Sequence, residues 1–154
     1  MVVLFWLTLF AIAYPYAIYP TLLLLVNRIF KQSMPTGNVS HEPSLTILMP
    51  VHNEAGRVAR KVENLLSLDY PPSKIQIVAI ADGCSDDSVA RLRESGGDRL
   101  QIVQLDQWSG KAAALNAGLA QAHGDIIVFT DVGIVLERES LRHLVAHFAD
   151  QQVG

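Results

Sequence analysis

Gly110-Lys111-Ala112-Ala113-Ala114-Leu115-Asn116-Ala117-Gly118, followed by Gly124-Asp125-Ile126-Ile127-Val128-Phe129-Thr130-Asp131, is the stretch that decides the fold. Its alanines favour a helix over Lys111 to Ala122. Ile126 to Phe129 is wholly apolar and reads as a strand, with a carboxylate, Asp131, at its exit. In an open α/β sheet, ligands bind just beyond the carboxyl ends of the strands. Asp131 therefore stands where a ligand would lie, and Lys111 is a candidate to meet an anion beside it.

Upstream, the same alternation repeats. Leu45 to Met49 is a short apolar strand stopped by Pro50. From Arg57 to Leu68 the apolar residues Val58, Val62, Leu65 and Leu66 recur at helical spacing, and Tyr70-Pro71-Pro72 ends that helix. Ile75 to Ile80 is a second strand, Asp86 to Ser95 a second helix stopped by Gly96-Gly97, and Leu100 to Leu105 a third strand. A last helix covers Ser140 to Ala149. Strands alternating with helices predict βαβ units and a mostly parallel sheet. Right-handed crossovers bring the strand exits to one edge.

Three of those exits carry acid: His52-Asn53-Glu54, then Asp82-Gly83-Cys84-Ser85-Asp86-Asp87, then Asp131-Val132-Gly133. Carboxylates gathered in one crevice repel unless a cation compensates. A hard divalent ion, Mg²⁺ or Mn²⁺, held by one or two carboxylates and by substrate phosphates, is the simplest resolution. Lys111 adds a point charge for the same phosphates. Simpler roles compete at several positions. Asp86, Asp87 and Ser88 suit helix caps, Asn53 and Gly83 suit turns, Asn116 suits a helix surface, and Cys84 suits a small loop position. Neither the Walker pattern nor Gly-x-Gly-x-x-Gly after the first strand is present, which argues against ordinary P-loop enzymes and dinucleotide dehydrogenases.

The 154 residues suffice for one α/β domain with a core. Net charge is -3 with no basic tract, which argues against nucleic acid as a partner. The single cysteine, Cys84, excludes an internal disulfide. Met1 to Asn27 contains no charged residue, and a bilayer-spanning helix needs about 20 mostly apolar residues. Residues 1–31 are therefore expected to form a transmembrane helix, kinked at Pro15 and Pro20. Arg28 and Lys31 place its following end in the cytoplasm. A signal peptide fits less well, because no positive segment precedes Ala11-Ile12-Ala13 and the apolar run continues to Val26. Residues 32–44, rich in proline, glycine and small polar residues, read as a linker to a domain over 45–154.

Taken together, these segments resemble the family 2 glycosyltransferases, over most of residues 45–150. Pro50-Val51-His52-Asn53-Glu54 looks like that family's Pro-x-Tyr-Asn-Glu motif, with His52 in the tyrosine's place. Ala81-Asp82-Gly83-Cys84-Ser85-Asp86 resembles its Asp-Asp-Gly-Ser-x-Asp segment. Gly110-Lys111-Ala112-Ala113-Ala114-Leu115-Asn116 is similar to its Gly-Lys-x-x-Ala-Leu-Asn signature, the most specific of the three. The N-terminal helix resembles the leading helix of the bacterial membrane-bound members.

The resemblance implies an α/β fold of GT-A type, Rossmann-like, with a mostly parallel sheet flanked by helices and one transmembrane helix before it. It implies an inverting transferase that takes a sugar from a nucleotide-diphosphate donor, usually UDP-linked, to a polysaccharide or lipid acceptor, in the inner (plasma) membrane with the domain cytoplasmic. By that analogy Pro50, His52, Glu54, Asp82, Lys111 and Asn116 are the donor-binding residues, and Asp131 is the metal ligand, first acid of an Asp-x-Asp motif. Two departures follow. Gly133 replaces the second acid of that motif. The general base and a Gln-x-x-Arg-Trp acceptor motif would lie beyond Gly154, so the chain is expected to be an N-terminal, donor-binding portion that does not turn over alone. A non-catalytic membrane-anchored nucleotide-binding or assembly protein is the alternative that Gly133 favours.

Overall fold

The computed structural model describes residues 1–29 and 42–149. It divides into two compact units, Met1–Thr36 and Gly37–Gly154. Most of the expected linker, residues 32–41, lies outside the described residues.

The described part of the first unit is a continuous helix, Val2–Ile29, of 28 residues, long and apolar enough to cross a membrane by length and composition. It comprises α1 (Val2–Ala13), a π-helical turn (Tyr14–Ile18) and α2 (Tyr19–Ile29). Pro15 and Pro20 have no N–H to give the ladder. The chain accommodates them by widening one turn, in which the Tyr19 N–H reaches back to the Tyr14 carbonyl. The hydroxyls of Thr8 and Thr21 donate to the carbonyls of Leu4 and Ala17 one turn earlier, so the helix satisfies its own polar side chains there.

Among the described residues, the second unit is a four-stranded parallel sheet with helices on both faces. Its strands are β1 (Leu45–Val51), β2 (Ile75–Asp82), β3 (Gln101–Leu105) and β4 (Ile126–Phe129), in the order β3-β2-β1-β4. Its helices are α3 (Val58–Leu66), α4 (Ser88–Gly96), α5 (Lys111–Leu119) and α6 (Ser140–Ala146). Alternate residues of β1 divide the core. Ile47, Met49 and Val51 pack with Val58, Val62 and Leu65 of α3, Leu92 of α4 and Leu141 and Val145 of α6. Leu48 faces the other way, with Val78, Ile80 and Ala114 of α5. Gly118 lets α5 lie close on that face, since a Cβ there would come within 2.6 Å of Ile80 Cδ1.

The strand order reverses at β1. The chain moves outward through α3 to β2 and through α4 to β3, then returns across the sheet through α5 to β4. This reversal creates a switch point between the exits of β1 and β4, where open parallel sheets bind their ligands.

Pro50 corrects one expectation. It does not stop β1, which continues through it to Val51, paired with Ile80 and Ala81 of β2. The β4 pairing ends with Phe129 opposite Leu48, whose carbonyl accepts the Thr130 N–H. Side-on groups alternate along a strand, so Pro50 turns its missing donor toward the same side as Leu48, where little ladder remains to fill. α5 also ends earlier than expected, at Leu119, and the last helix gives way to a 3₁₀ turn at His147–Ala149.

Residues 42–44 are fastened to the domain. The Tyr70 hydroxyl donates to the Pro43 carbonyl, Arg142 bridges Glu42 and Asp69, and Ser44 holds the Asp125 carboxylate.

Candidate functional site

A cleft of about 400 Å³ opens at the switch point. Pro50, Val51, His52 and Glu54 enter it from the exit of β1, Asp82 from β2, Trp108 and Lys111 from the start of α5, and Asp131, Val132 and Gly133 from β4. Six of the seven side chains proposed from sequence thus share one cavity. Asn116 does not line it. Five residues along an α-helix is about 140° around the axis from Lys111, and Asn116 lies on the exposed face.

Asp82 organises the floor. It is 3% exposed. One carboxylate oxygen accepts from the Ser109 amide and hydroxyl, both at 2.7 Å, and the other from the Gly110 amide at 2.9 Å. These donors immediately precede α5, so the acid caps that helix from another strand and meets the positive end of its dipole. Burial pushes the Asp82 carboxyl up, and the Ser109 and Gly110 hydrogen bonds outweigh it, holding the group below the usual carboxylate range. The backbone carbonyl of Asp82 accepts from His52 Nδ1 at 2.6 Å. That bond assigns the ring proton to Nδ1 and leaves Nε2 facing Asn53 Nδ2 at 3.4 Å.

Gly83 serves more than a turn. Its φ is +57°, and a Cβ there would lie 2.1 Å from the Trp108 amide nitrogen. The β2 exit and the Trp108 loop approach backbone to backbone, which only glycine allows. Asn53, at φ 52°, accepts the Ser85 N–H, and Asp86 accepts the Ser88 and Ala55 N–H groups, the turn and capping roles expected of them. The Cys84 thiol donates to the Val51 carbonyl at 3.3 Å.

At the other wall Lys111 Nζ meets both Asp131 oxygens, at 2.8 and 3.0 Å. Both side chains are more than half exposed, so this pair costs little to part. Among the described residues no three His, Cys, Asp or Glu side chains gather as a metal cluster. Asp131 offers one hard carboxylate, and a Mg²⁺- or Mn²⁺-type site built on it would need substrate phosphates to complete it. Gly133 offers no ligand, and its position is open: a Cβ there meets nothing within 4 Å, and its φ is not left-handed.

Sequence reasoning missed Lys61. It is 2% exposed in α3, and its ammonium donates to Thr130 Oγ1 at 2.8 Å and to the Ile134 carbonyl. These atoms flank Asp131-Val132-Gly133, so Lys61 pins both ends of the acid-bearing turn. Burial lowers its pKa, and the Asp131 charge opposes that shift. A lysine on the apolar face that also carries Val58, Val62 and Leu65 was the available signal.

The comparisons with known proteins agree with this geometry. The family described as Glycosyl transferase family 2 matches residues 46–154. Glycosyltransferase AglE of Haloferax volcanii is 32% identical over 91 residues, 58% of this chain and 30% of that protein. A poly-beta-1,6-N-acetyl-D-glucosamine synthase of Staphylococcus aureus is 28% identical over 124 residues, 78% of this chain and 29% of its own length. The chain thus spans about a third of the curated relatives it matches. Among solved structures, the mannosyltransferase PcManGT of Pyrobaculum calidifontis, in complex with GDP-Man and Mn²⁺, superposes with a TM-score of 0.80 at 29% identity, covering 94% of this chain and 44% of that one. S. aureus TarS with UDP-GlcNAc, at 22% identity and a TM-score of 0.63 over 67% of this chain and 30% of its own, shares the fold. The parallel sheet, its switch-point cleft and the match over residues 46–154 lead to one statement: the fold is of GT-A type, and the chain belongs to glycosyl transferase family 2.

Proposed function

We propose that residues 45–154 form the donor-binding part of a membrane-anchored inverting glycosyltransferase, with Val2–Ile29 as its anchor. The donor is a nucleotide-diphosphate sugar, UDP-linked by preference, and the acceptor is a polysaccharide or lipid. The domain lies on the cytoplasmic side of the plasma membrane. The observation that carries this reading is the Lys111–Asp131 pair, exposed at the switch point across from an Asp82 whose own charge is internally satisfied.

The chain's residues divide the work. Asp82 fixes the start of α5, which sets where Lys111 emerges. Lys111 is free to exchange Asp131 for the donor's diphosphate, since an exposed ion pair is worth at most about 1 kcal/mol. Asp131, so released, would hold a divalent cation together with phosphate oxygens; when bound, the ion neutralises charge on the leaving diphosphate. Pro50, His52 and Glu54 border the nucleoside end. The acceptor hydroxyl's proton requires a general base. None of the described cleft residues is assigned that role, so the chain by itself binds donor without turning it over.

Calorimetry of the full chain with UDP and Mn²⁺ or Mg²⁺, repeated for Asp82→Ala and Asp131→Ala, tests the reading. Saturable binding weakened by both substitutions is expected. Binding indifferent to both would remove the site from this cleft, and steady donor hydrolysis by this chain would contradict the reading that none of the described cleft residues serves as the base.

A further inference from the structure

A second cavity, of about 440 Å³, lies between α3 and the acid-bearing turn. Arg57, Arg60 and Lys61 line it from α3 and its cap, and Val132, Gly133 and Val135 from the turn. It shares only Val132 and Gly133 with the switch-point cleft. Three cations border it, and among the described residues no acid does. Lys61 is the informative member. It is 2% exposed. Its ammonium carries three donors, and two of them go to neutral acceptors, Thr130 Oγ1 and the Ile134 carbonyl. Among the described residues no carboxylate stands at ion-pair distance from it. Asp131, whose charge reaches Lys61 from the turn, is held by Lys111. Arg60 likewise has no ion pair among the described residues, and Arg57 has a loose one, at 3.6 Å to Glu54.

A buried cation is normally compensated by an anion, because leaving water without one is costly. Here the compensation can come from a ligand. We infer that this cavity is a second anion site, one that takes a phosphate monoester. Two guanidinium forks on one helical turn match phosphate oxygens. A phosphate monoester brings close to two negative charges at neutral pH, against the single charge of a carboxylate, and so answers three cations better. Apolar surface adjoins the cations: Val135 is 63% exposed and its neighbour Ile134 52%. That border suits a phosphate with an apolar substituent, so a lipid-borne phosphate and the free ion share the chemistry of the site. The inference goes beyond the donor-binding reading and does not depend on it, since none of the three cations borders the cleft.

The test uses the full chain in neutral detergent micelles and measures inorganic phosphate and dodecyl phosphate by calorimetry in phosphate-free buffer. Saturable binding that weakens with added salt is expected. Arg60→Gln should weaken both probes roughly tenfold or more, and Arg60→Lys, which keeps the charge without the fork, should lose less. Arg60→Gln should leave UDP affinity within about twofold, because the two sites are separate. Arg60 is exposed, so both variants should fold, and far-UV circular dichroism checks this. Dodecyl phosphate that binds more tightly than inorganic phosphate, with the gain lost in Arg60→Gln, identifies a lipid-borne phosphate; equal affinity identifies the free ion, and the site stands in either case. Phosphate binding without UDP binding also upholds the site while it refutes the donor reading. Binding indifferent to Arg60→Gln, complete displacement of phosphate by UDP, or no saturable binding of either probe at millimolar concentration overturns the site.

Discussion

Removing the Asp82 carboxylate gives the sharpest energetic test of how the cleft is built. Asp82→Ala deprives the Ser109 and Gly110 amides and the Ser109 hydroxyl of their acceptor. A partly buried donor left unpaired costs about 1–3 kcal/mol, and hydrogen bonds to a charged group sit toward the upper part of that scale. Against this, the mutant no longer desolvates an acid. The balance is a loss of about 3 kcal/mol, larger than an ordinary helix cap because two segments are joined. With a urea slope on the order of 2 kcal/mol per molar, the midpoint falls by about 1.5 M. Asp82→Asn keeps one carbonyl oxygen for Ser109 but turns an amide group toward Gly110, so its loss should be intermediate. The difference also depends on pH in a defined direction. The folded carboxyl lies below its unfolded value. Its contribution is therefore complete above the unfolded pKa of about 4 and disappears as pH falls through the folded value. Urea unfolding of wild type and Asp82→Ala at neutral pH and at successively lower pH measures both features. A difference below about 0.5 kcal/mol at neutral pH, or one that persists undiminished in acid, would refute the capping account.

Three further outcomes follow from the same geometry. Gly133→Asp adds a side chain where a Cβ meets nothing; stability should stay within about 1 kcal/mol of wild type, while Mn²⁺-dependent UDP affinity rises roughly tenfold, read by calorimetry with and without the metal. Gly83→Ala forces a Cβ to 2.1 Å from the Trp108 nitrogen at φ +57° and should lose more than about 3 kcal/mol by urea unfolding. Lys61→Met keeps the buried stem but leaves Thr130 Oγ1 and the Ile134 carbonyl without their donor; a loss of about 2 kcal/mol is expected, with faster amide exchange at residues 131–134.

Much of the fold is legible because parallel strands buried on both faces must be continuous apolar runs. Ile75 to Ile80 and Ile126 to Phe129 could hardly be anything else. Pro50 misleads because local chemistry treats proline as a stop, whereas the pairing depends on how far β4 extends beside it, a non-local fact. The site is legible at the level of strand exits: topology alone brings His52, Asp82 and Asp131 to one edge. Partnerships across that edge are not. Nothing in Asp82-Gly83 announces Ser109 and Gly110 as its ligands, and motif similarity places Asn116 in the site although helical geometry turns it away. Lys61 and Trp108 each break a pattern, a cation on an apolar helical face and an indole in a polar loop. Such violations are where functional constraint tends to override local preference.

In the proposed function, donor diphosphate and metal meet at Asp131 between the exits of β1 and β4. Paramagnetic broadening by Mn²⁺ of backbone amide signals, with UDP present, measures this directly. UDP-dependent broadening centred on Asp131 to Gly133, reaching Lys111 and Val51-His52 and abolished by Asp131→Ala, is expected. Broadening centred instead on Asp86 and Asp87, or unchanged by Asp131→Ala, would contradict it.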